Sequence, residues 1–325
     1  MSKSILLTGT TGFVGANLAK VLLLRTDFIV KYVVRHAVDK DDELSFEVED
    51  INASTDYKSA LNNTSIVVHC AARTHVMNDY FDNPLSAYRE VNTYGTANLA
   101  RQAANAGVKR FIFISSIKVN GESTVLGKPF CSNDVAQPED EYGISKAEAE
   151  QALCSIAKET GMEVVIIRPT LVYGPGVKAN FASLMNLVSK GFPLPLSCIT
   201  NNKRSLVSID NLVDLIITCL DHPKAANQVF LVSDDHDVST SEMVREMAIA
   251  LGKPTWQLPV PIWCYKLVRK LFGKSGIVDR LIGSLQIDLS HTKETLGWKP
   301  PQTLQEAFKK TAQAFLRSKN ISGKS

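Results

Sequence analysis

The chain opens with a short apolar run, Ser4-Ile5-Leu6-Leu7, that passes directly into Thr8-Gly9-Thr10-Thr11-Gly12-Phe13-Val14-Gly15. Glycines at 9, 12 and 15, set between an apolar strand and an apolar helix, are compatible with few folds. The first permits a tight turn, the second lets backbone approach a pyrophosphate, and the third lets the helix pack on the sheet. The N–H groups at the start of that helix then face phosphate. Strand, glycine turn and helix in this order predict a dinucleotide-binding unit in a parallel sheet.

The same alternation continues through the first half. Strands are expected at 4–8, 29–34, 46–48, 66–69, 110–114 and 164–167. Helices are expected at 13–25, from Pro84 to about Ala106 with Gly107 as its stop, and from Tyr142 to about Glu159 with Gly161 beyond it. The strands are continuous apolar runs, the pattern of strands buried on both faces, so the fold class is a doubly wound parallel α/β sheet. From Pro169 onward prolines interrupt the pattern, and a smaller C-terminal substrate lobe is expected. The division is 1–168 for the dinucleotide-binding domain, with some later segments returning to it, 169–318 for the lobe, and a tail at 319–325.

Composition narrows the function. Lys and Arg total 36 against 33 Asp and Glu, a net charge of +3 too balanced to suggest nucleic acid as partner. The six cysteines are scattered without a Cys-x-x-Cys pair, which reads as free thiols in a reducing compartment. A strand begins within a few residues of Met1, and no apolar run reaches the roughly 18 residues of a membrane span, so a cytoplasmic protein without a transmembrane segment is expected. No metal site is expected.

Tyr142-Gly143-Ile144-Ser145-Lys146 sets a tyrosine and a lysine on one helix face, about 5–6 Å apart at their Cβ atoms. An ammonium that close favours phenolate and lowers a tyrosine pKa ordinarily near 10, giving a general base or acid near neutral pH. Alone the spacing is common, and an exposed helical pair would satisfy it. Ser115-Ser116, closing the apolar run 111–114, changes its meaning. A dinucleotide turn, a strand-end serine and a tyrosine–lysine pair describe an enzyme that moves hydride.

The cofactor type turns on the second strand. Where an acidic residue would hold the adenosine ribose, roughly 20 positions past the glycines, this chain has Arg35, with His36 beside it. Arginine there can pair with a 2′-phosphate and tilts the cofactor from NAD towards NADP. The alternative leaves Arg35 on adenine or in solvent, with Asp39 or Asp41 reaching the ribose. Asp50 and Ile51 could bracket the adenine, and Cys70-Ala71-Ala72 provides small residues where backbone must pass close to the cofactor.

These motifs together resemble the extended short-chain dehydrogenase/reductases, in particular the NAD-dependent epimerase/dehydratase family and its UDP-glucose 4-epimerase-like members. Val68-His69-Cys70-Ala71-Ala72, Asn92-x-x-Gly95-Thr96, Ser115 to Gly121 and Arg168-Pro169-x-x-Val172-Tyr173-Gly174-Pro175-Gly176 carry the likeness, which spans about 4–318. It implies Ser116 on the reacting sugar hydroxyl, Tyr142 as acid/base, Lys146 on the nicotinamide ribose, and Asn92 supporting the lysine's surroundings. It adds Gly9, Gly12, Phe13, Val14, Gly15 and Pro169 to the cofactor site, Asn180 to the sugar diphosphate and Arg204 to the nucleotide phosphates. Asn92 as a buried polar tie and Arg204 as a surface ion pair remain the plain alternatives.

Two departures matter. Sugar 4,6-dehydratases carry an Asp-Glu pair where this chain has Ile117-Lys118, which excludes that reaction, and Leu171 replaces a sugar-holding asparagine of many relatives. His75 is placed in the substrate pocket, or is a satisfied structural histidine. Residues 256–274 mix aromatic and basic side chains, suiting either an anionic membrane surface or an ordinary lobe helix with a solvated basic face. The expected activity is 4-epimerisation of a UDP-hexose, of UDP-glucose or UDP-N-acetylglucosamine type, with NAD or NADP. The alternatives are NAD(P)H-dependent reduction of a UDP-4-keto-6-deoxy-hexose and an inactive NADP(H)-sensing protein. Helices 84–106 and 142–159 are expected to pair two subunits into a homodimer.

Overall fold

The structure, a computed structural model, describes residues 3–35, 44–74, 83–272 and 275–322. The chain runs through β1 (Lys3–Thr8), α1 (Phe13–Leu22), β2 (Phe28–Val34), β3 (Ser45–Glu47), α2 (Lys58–Leu61) and β4 (Ile66–His69). Next come α3 (Pro84–Tyr88), a π-helical stretch Arg89–Gly95, α4 (Thr96–Asn105), β5 (Arg110–Ile114), a 3-10 turn Ile117–Val119 and α5 (Glu141–Thr160). The sheet strand β6 (Glu163–Pro169) leads to β7 (Leu171–Tyr173), α6 (Ala179–Ser189), β8 (Arg204–Ser208) and α7 (Ile209–Asp221). After β9 (Gln228–Val232) come β10 (Asp237–Val238), α8 (Thr240–Ala250), α9 (Ile262–Phe272), α10 (Ser275–Ile282), α11 (Ser290–Leu296) and α12 (Leu304–Ser322).

Seven strands form one sheet in the order β3-β2-β1-β4-β5-β6-β9, every neighbouring pair parallel. Their continuous apolar runs reflect two buried faces. Ile5, Leu7, Ile66, Val68, Ile112, Ile114, Val165 and Ile167 join the core shared with α1 and α7. The intervening Leu6, Val67, Phe111, Phe113, Val164 and Ile166 join the opposite core with α4 and α5. Beyond β6 a three-stranded sheet, β10-β8-β7, heads a third core in which Tyr173, Phe181 and Phe308 pack together. β9 leaves that region and returns to the main sheet beside β6.

The expected helix 84–106 is broken by its π stretch, and helix 13–25 closes earlier, at Leu22. The chain end differs too: α12 continues to Ser322, with Lys319 Nζ bonded to Ser189 Oγ at 2.9 Å. Glycine stops lie where they were expected, with Gly107 (φ +81°) after α4 and Gly161 (φ +75°) after α5 in the left-handed region. Among the described residues no helix is long and apolar enough to cross a membrane. Trp256, Trp263 and Leu267 are exposed, while Tyr265 packs partly against the third core. The side chains of Lys266, Val268, Arg269, Leu271 and Phe272, and Lys274 itself, lie outside the described residues.

Candidate active site

Strand order reverses between β1 and β4, and the candidate site gathers at the C-terminal ends of β1, β4 and β5. Gly9 takes φ +76°, and a Cβ there would come within 2.6 Å of Ala71 N. A Cβ on Gly15 would meet Gly9 O at 2.2 Å, so α1 can approach β1 this closely only with glycine. Gly12 N–H donates to Gly9 O at 2.9 Å, and no side chain caps the start of α1. The resulting cradle of backbone amides at a helix N-terminus fits a dinucleotide pyrophosphate, and a Cβ at Gly9 or Gly15 would destroy it. Phe13 and Val14 begin α1 and pack against the sheet core.

Arg35 follows β2 directly and is exposed. His36, Asp39 and Asp41 lie outside the described residues, as does His75. Asp50 and Ile51 follow β3, where Ile51 N–H donates to Asp50 Oδ1 at 2.8 Å and Ile51 rests against Gly95. Cys70, Ala71 and Ala72 leave β4 half-buried, and burial pushes the Cys70 thiol up to about 12. A buried chain not anticipated from sequence fixes this segment. Thr8 Oγ1 meets His69 Nδ1 at 2.7 Å, His69 Nε2 meets Thr96 Oγ1 at 3.0 Å, and Ala71 N–H donates to Thr8 Oγ1 at 3.2 Å. Burial, with Lys146 nearby, pushes the His69 pKa down to about 3, so the imidazole is neutral and acts as a strut.

Ser116 ends the β5 segment as the N-cap of the 3-10 turn, its Oγ accepting Lys118 N–H at 3.2 Å. Tyr142 and Lys146 lie in the first two turns of α5, whose N-cap Asp140 accepts Gly143 N–H at 2.7 Å. Lys146 is buried, donates to Ile114 O at 2.8 Å and sits 4.3 Å from the Phe113 ring centre. The strand that delivers Ser116 is therefore held directly by the lysine.

The lowering of the Tyr142 pKa expected from Lys146 is reversed. Burial pushes the phenol up, and Asp140 and Tyr88 add to the effect. Lys146 Nζ is 6.0 Å from the Tyr142 ring centre, and burial lowers the lysine itself to about 7, so its charge is only partly present at neutral pH. Desolvation outweighs a half-charged neighbour at that distance.

Asn92 is buried in the π stretch, its Oδ1 accepting Arg73 N–H at 2.8 Å and its Nδ2 donating to Arg73 O at 3.0 Å and Ser145 Oγ at 2.9 Å. This places it as a tie between the segment after β4 and the helix bearing Lys146. Beneath Ser116, Ser115 Oγ donates to buried Glu150, which pairs with Arg168 at 2.5 Å; Arg168 also donates to Asn120 Oδ1 at 2.9 Å. Neither this ion pair nor the Asp140 cap was apparent from the sequence, although Asp140 three residues before Gly143 is a recognisable cap spacing.

Pro169, assigned to the cofactor site, is buried at the end of β6; on the substrate side, β7 begins two residues later with Leu171 exposed. Asn180 is exposed near the start of α6. Arg204 starts β8, donating to Arg280 O at 2.9 Å and Gly283 O at 3.4 Å, a backbone anchorage rather than the surface ion pair. Burial and Arg280 lower its pKa.

The NAD dependent epimerase/dehydratase family model matches residues 5–233. A protein of Vibrio cholerae described as UDP-glucose 4-epimerase is 74% identical over 320 residues, covering 98% of each chain. The chain belongs to the NAD dependent epimerase/dehydratase family. Among solved structures, UDP-glucuronic acid 4-epimerase of Bacillus cereus, solved with NAD, superposes with a TM-score of 0.78 at 19% identity, covering 97% of this chain and 99% of that one. UDP-glucose 4-epimerase of Thermotoga maritima, solved with UDP-glucose, gives a TM-score of 0.76 at 21% identity over 97% and 99% of the two chains. At these identities the two structures speak for the fold, and the Vibrio relative for the closer kinship.

Proposed function

We propose that this family member is a 4-epimerase of a UDP-hexose, of UDP-glucose or UDP-N-acetylglucosamine type. The observation that carries this reading is the 74% identity, over 98% of each chain, to the Vibrio cholerae protein described as UDP-glucose 4-epimerase. The arrangement around Tyr142 supports it. A bound nicotinamide dinucleotide supplies the acceptor and donor of a hydride at carbon 4. Tyr142 takes the proton of the 4-hydroxyl and returns it, while Ser116 hydrogen-bonds the same oxygen. Lys146 braces the β5 end through Ile114 O and carries a charge that varies around neutral pH, which suits a site where a proton leaves and returns. Asn92 holds the cofactor-side segment at Arg73, and Arg204 and Asn180 meet the diphosphate, about which the 4-keto sugar turns before it is reduced on its other face. Arg35, exposed at the end of β2, favours NADP over NAD, and α3–α4 with α5 form the face of a homodimer.

The test gives purified protein UDP-glucose and UDP-N-acetylglucosamine, with and without added dinucleotide, and separates the products by configuration. Interconversion of gluco and galacto forms with no net change in nicotinamide absorbance is expected. Inertness towards both, with stoichiometric NAD(P)H consumption on a UDP-4-keto-6-deoxy-hexose, would replace epimerase by reductase.

A further inference from the structure

A second lysine near the reacting groups has no part in the mechanism so far. Lys118 lies two residues past Ser116, and its Nζ donates to Glu122 Oε1 at 2.6 Å and to Asp140 Oδ2. Lys118 and Asp140 are only 22% and 21% exposed, so water screens the pair less than it would a surface ion pair. The second oxygen of Asp140 caps Gly143 N–H, so one carboxylate joins the lysine to the first turn of the Tyr142 helix. At the other end, Ser116 Oγ accepts the Lys118 N–H, so the serine and the lysine are held in one turn. The two segments are in close contact: a Cβ on Gly143 would lie 2.8 Å from Lys118 O, and Gln137 N–H donates to Val119 O at 2.9 Å.

Charge gives the bridge a second consequence. Asp140 precedes Tyr142 by two residues, and a carboxylate there opposes the phenolate. The surrounding groups are Glu122, which bonds Lys118, and Glu139, whose Oε1 accepts Glu122 N–H at 3.0 Å, with exposed Glu141 on the first turn of α5. On the other side are Tyr88, edge-on to Tyr142 at 6.2 Å, Arg73 at 5.8 Å over the Tyr88 ring, and Lys146. Lys118 is bonded to Asp140.

We propose that Lys118 is a positioning residue: by bridging Asp140 and Glu122 it locks the Ser116 turn to the start of the Tyr142 helix and cancels the carboxylate charge beside the phenol. The proposal rests on the epimerase reading for the roles of Ser116 and Tyr142. Lys118→Met and Lys118→Arg are compared with the parent by the pH profile of kcat/KM, with dinucleotide binding and thermal midpoint as folding controls. In Lys118→Met, Asp140 loses this ammonium and phenolate is disfavoured. In the dinucleotide-bound enzyme, where the positive nicotinamide would oppose the burial that raises the phenol, the limb that rises with Tyr142 deprotonation therefore moves to higher pH, by about half a unit or more, and kcat falls about 10-fold or more. Lys118→Arg restores the profile. Glu122→Gln removes a carboxylate and moves the limb the other way, and it decides the question if Lys118→Met does not fold. An unmoved limb in a folded Lys118→Met, or in Glu122→Gln where that variant decides, overturns the proposal even if kcat falls. The limb is followed in whichever hydride transfer the purified enzyme performs, so absent epimerisation counts against the epimerase reading and an unmoved limb against Lys118.

Discussion

At the scale of single residues, the side chains around the phenol act through burial more than through formal charge. Tyr142→Phe keeps the ring and its edge-on contact with Tyr88 and removes only the hydroxyl. Normal dinucleotide binding with activity down by about 10²-fold or more is expected, and steady-state kinetics near the parent rate would exclude Tyr142 as the proton carrier. Lys146 yields a prediction about stability. Its folded pKa, about 7, lies below the ordinary lysine value, so between the two the unfolded chain binds more protons and stability rises with pH. Lys146→Met removes this linkage. Without dinucleotide, its advantage in thermal midpoint over the parent should be largest at and below pH 7 and shrink towards pH 10, as melts across that range will show. Arg35 tests cofactor choice: Arg35→Ala should weaken NADP(H) by roughly 10–100-fold, the value of a charge-assisted hydrogen bond, and leave NAD(H) nearly unchanged. Equal losses in titrations with both cofactors would place the guanidinium elsewhere.

At the scale of elements, the glycine turn and the two helices bearing Asn92 and Lys146 differ in how far sequence reaches. Gly9, Gly12 and Gly15 are legible because the constraint is local: backbone that near to backbone leaves no room for a Cβ. Gly15→Ala should therefore cost about 1–3 kcal/mol or more and impair dinucleotide binding, since the intruded atom is Gly9 O and not a flexible side chain. Calorimetry and cofactor titration of that variant check both halves; an unchanged protein would mean α1 can shift without consequence. The π stretch Arg89–Gly95 was not legible. Its residues read as ordinary helix, and the register change coincides with buried Asn92 reaching Arg73, a partner 19 residues earlier in the chain. The Glu150–Arg168 pair was hidden for the same reason: each residue sits in an unremarkable local pattern, and only the packing of α5 beside β6 unites them.

At the scale of the whole molecule, α3–α4 and α5 pack side by side on one face of the sheet, and Tyr94 on the π stretch is exposed there. A homodimer through this face should sediment at twice the mass of one chain, and Tyr94→Glu should shift it towards monomer; a monomeric parent at micromolar concentration would remove the dimer from the proposed function. By itself the sequence determined the doubly wound parallel sheet, the glycine cradle at its first turn and the family, because apolar runs, glycine spacing and ordered motifs are local properties of the chain. Tertiary structure decided the direction of the Tyr142 pKa, the anchoring of Lys146 on Ile114, the neutral His69 strut and the Lys118–Asp140 bridge. Each depends on desolvation or on a partner distant in the chain, and both quantities exist only once the elements have packed.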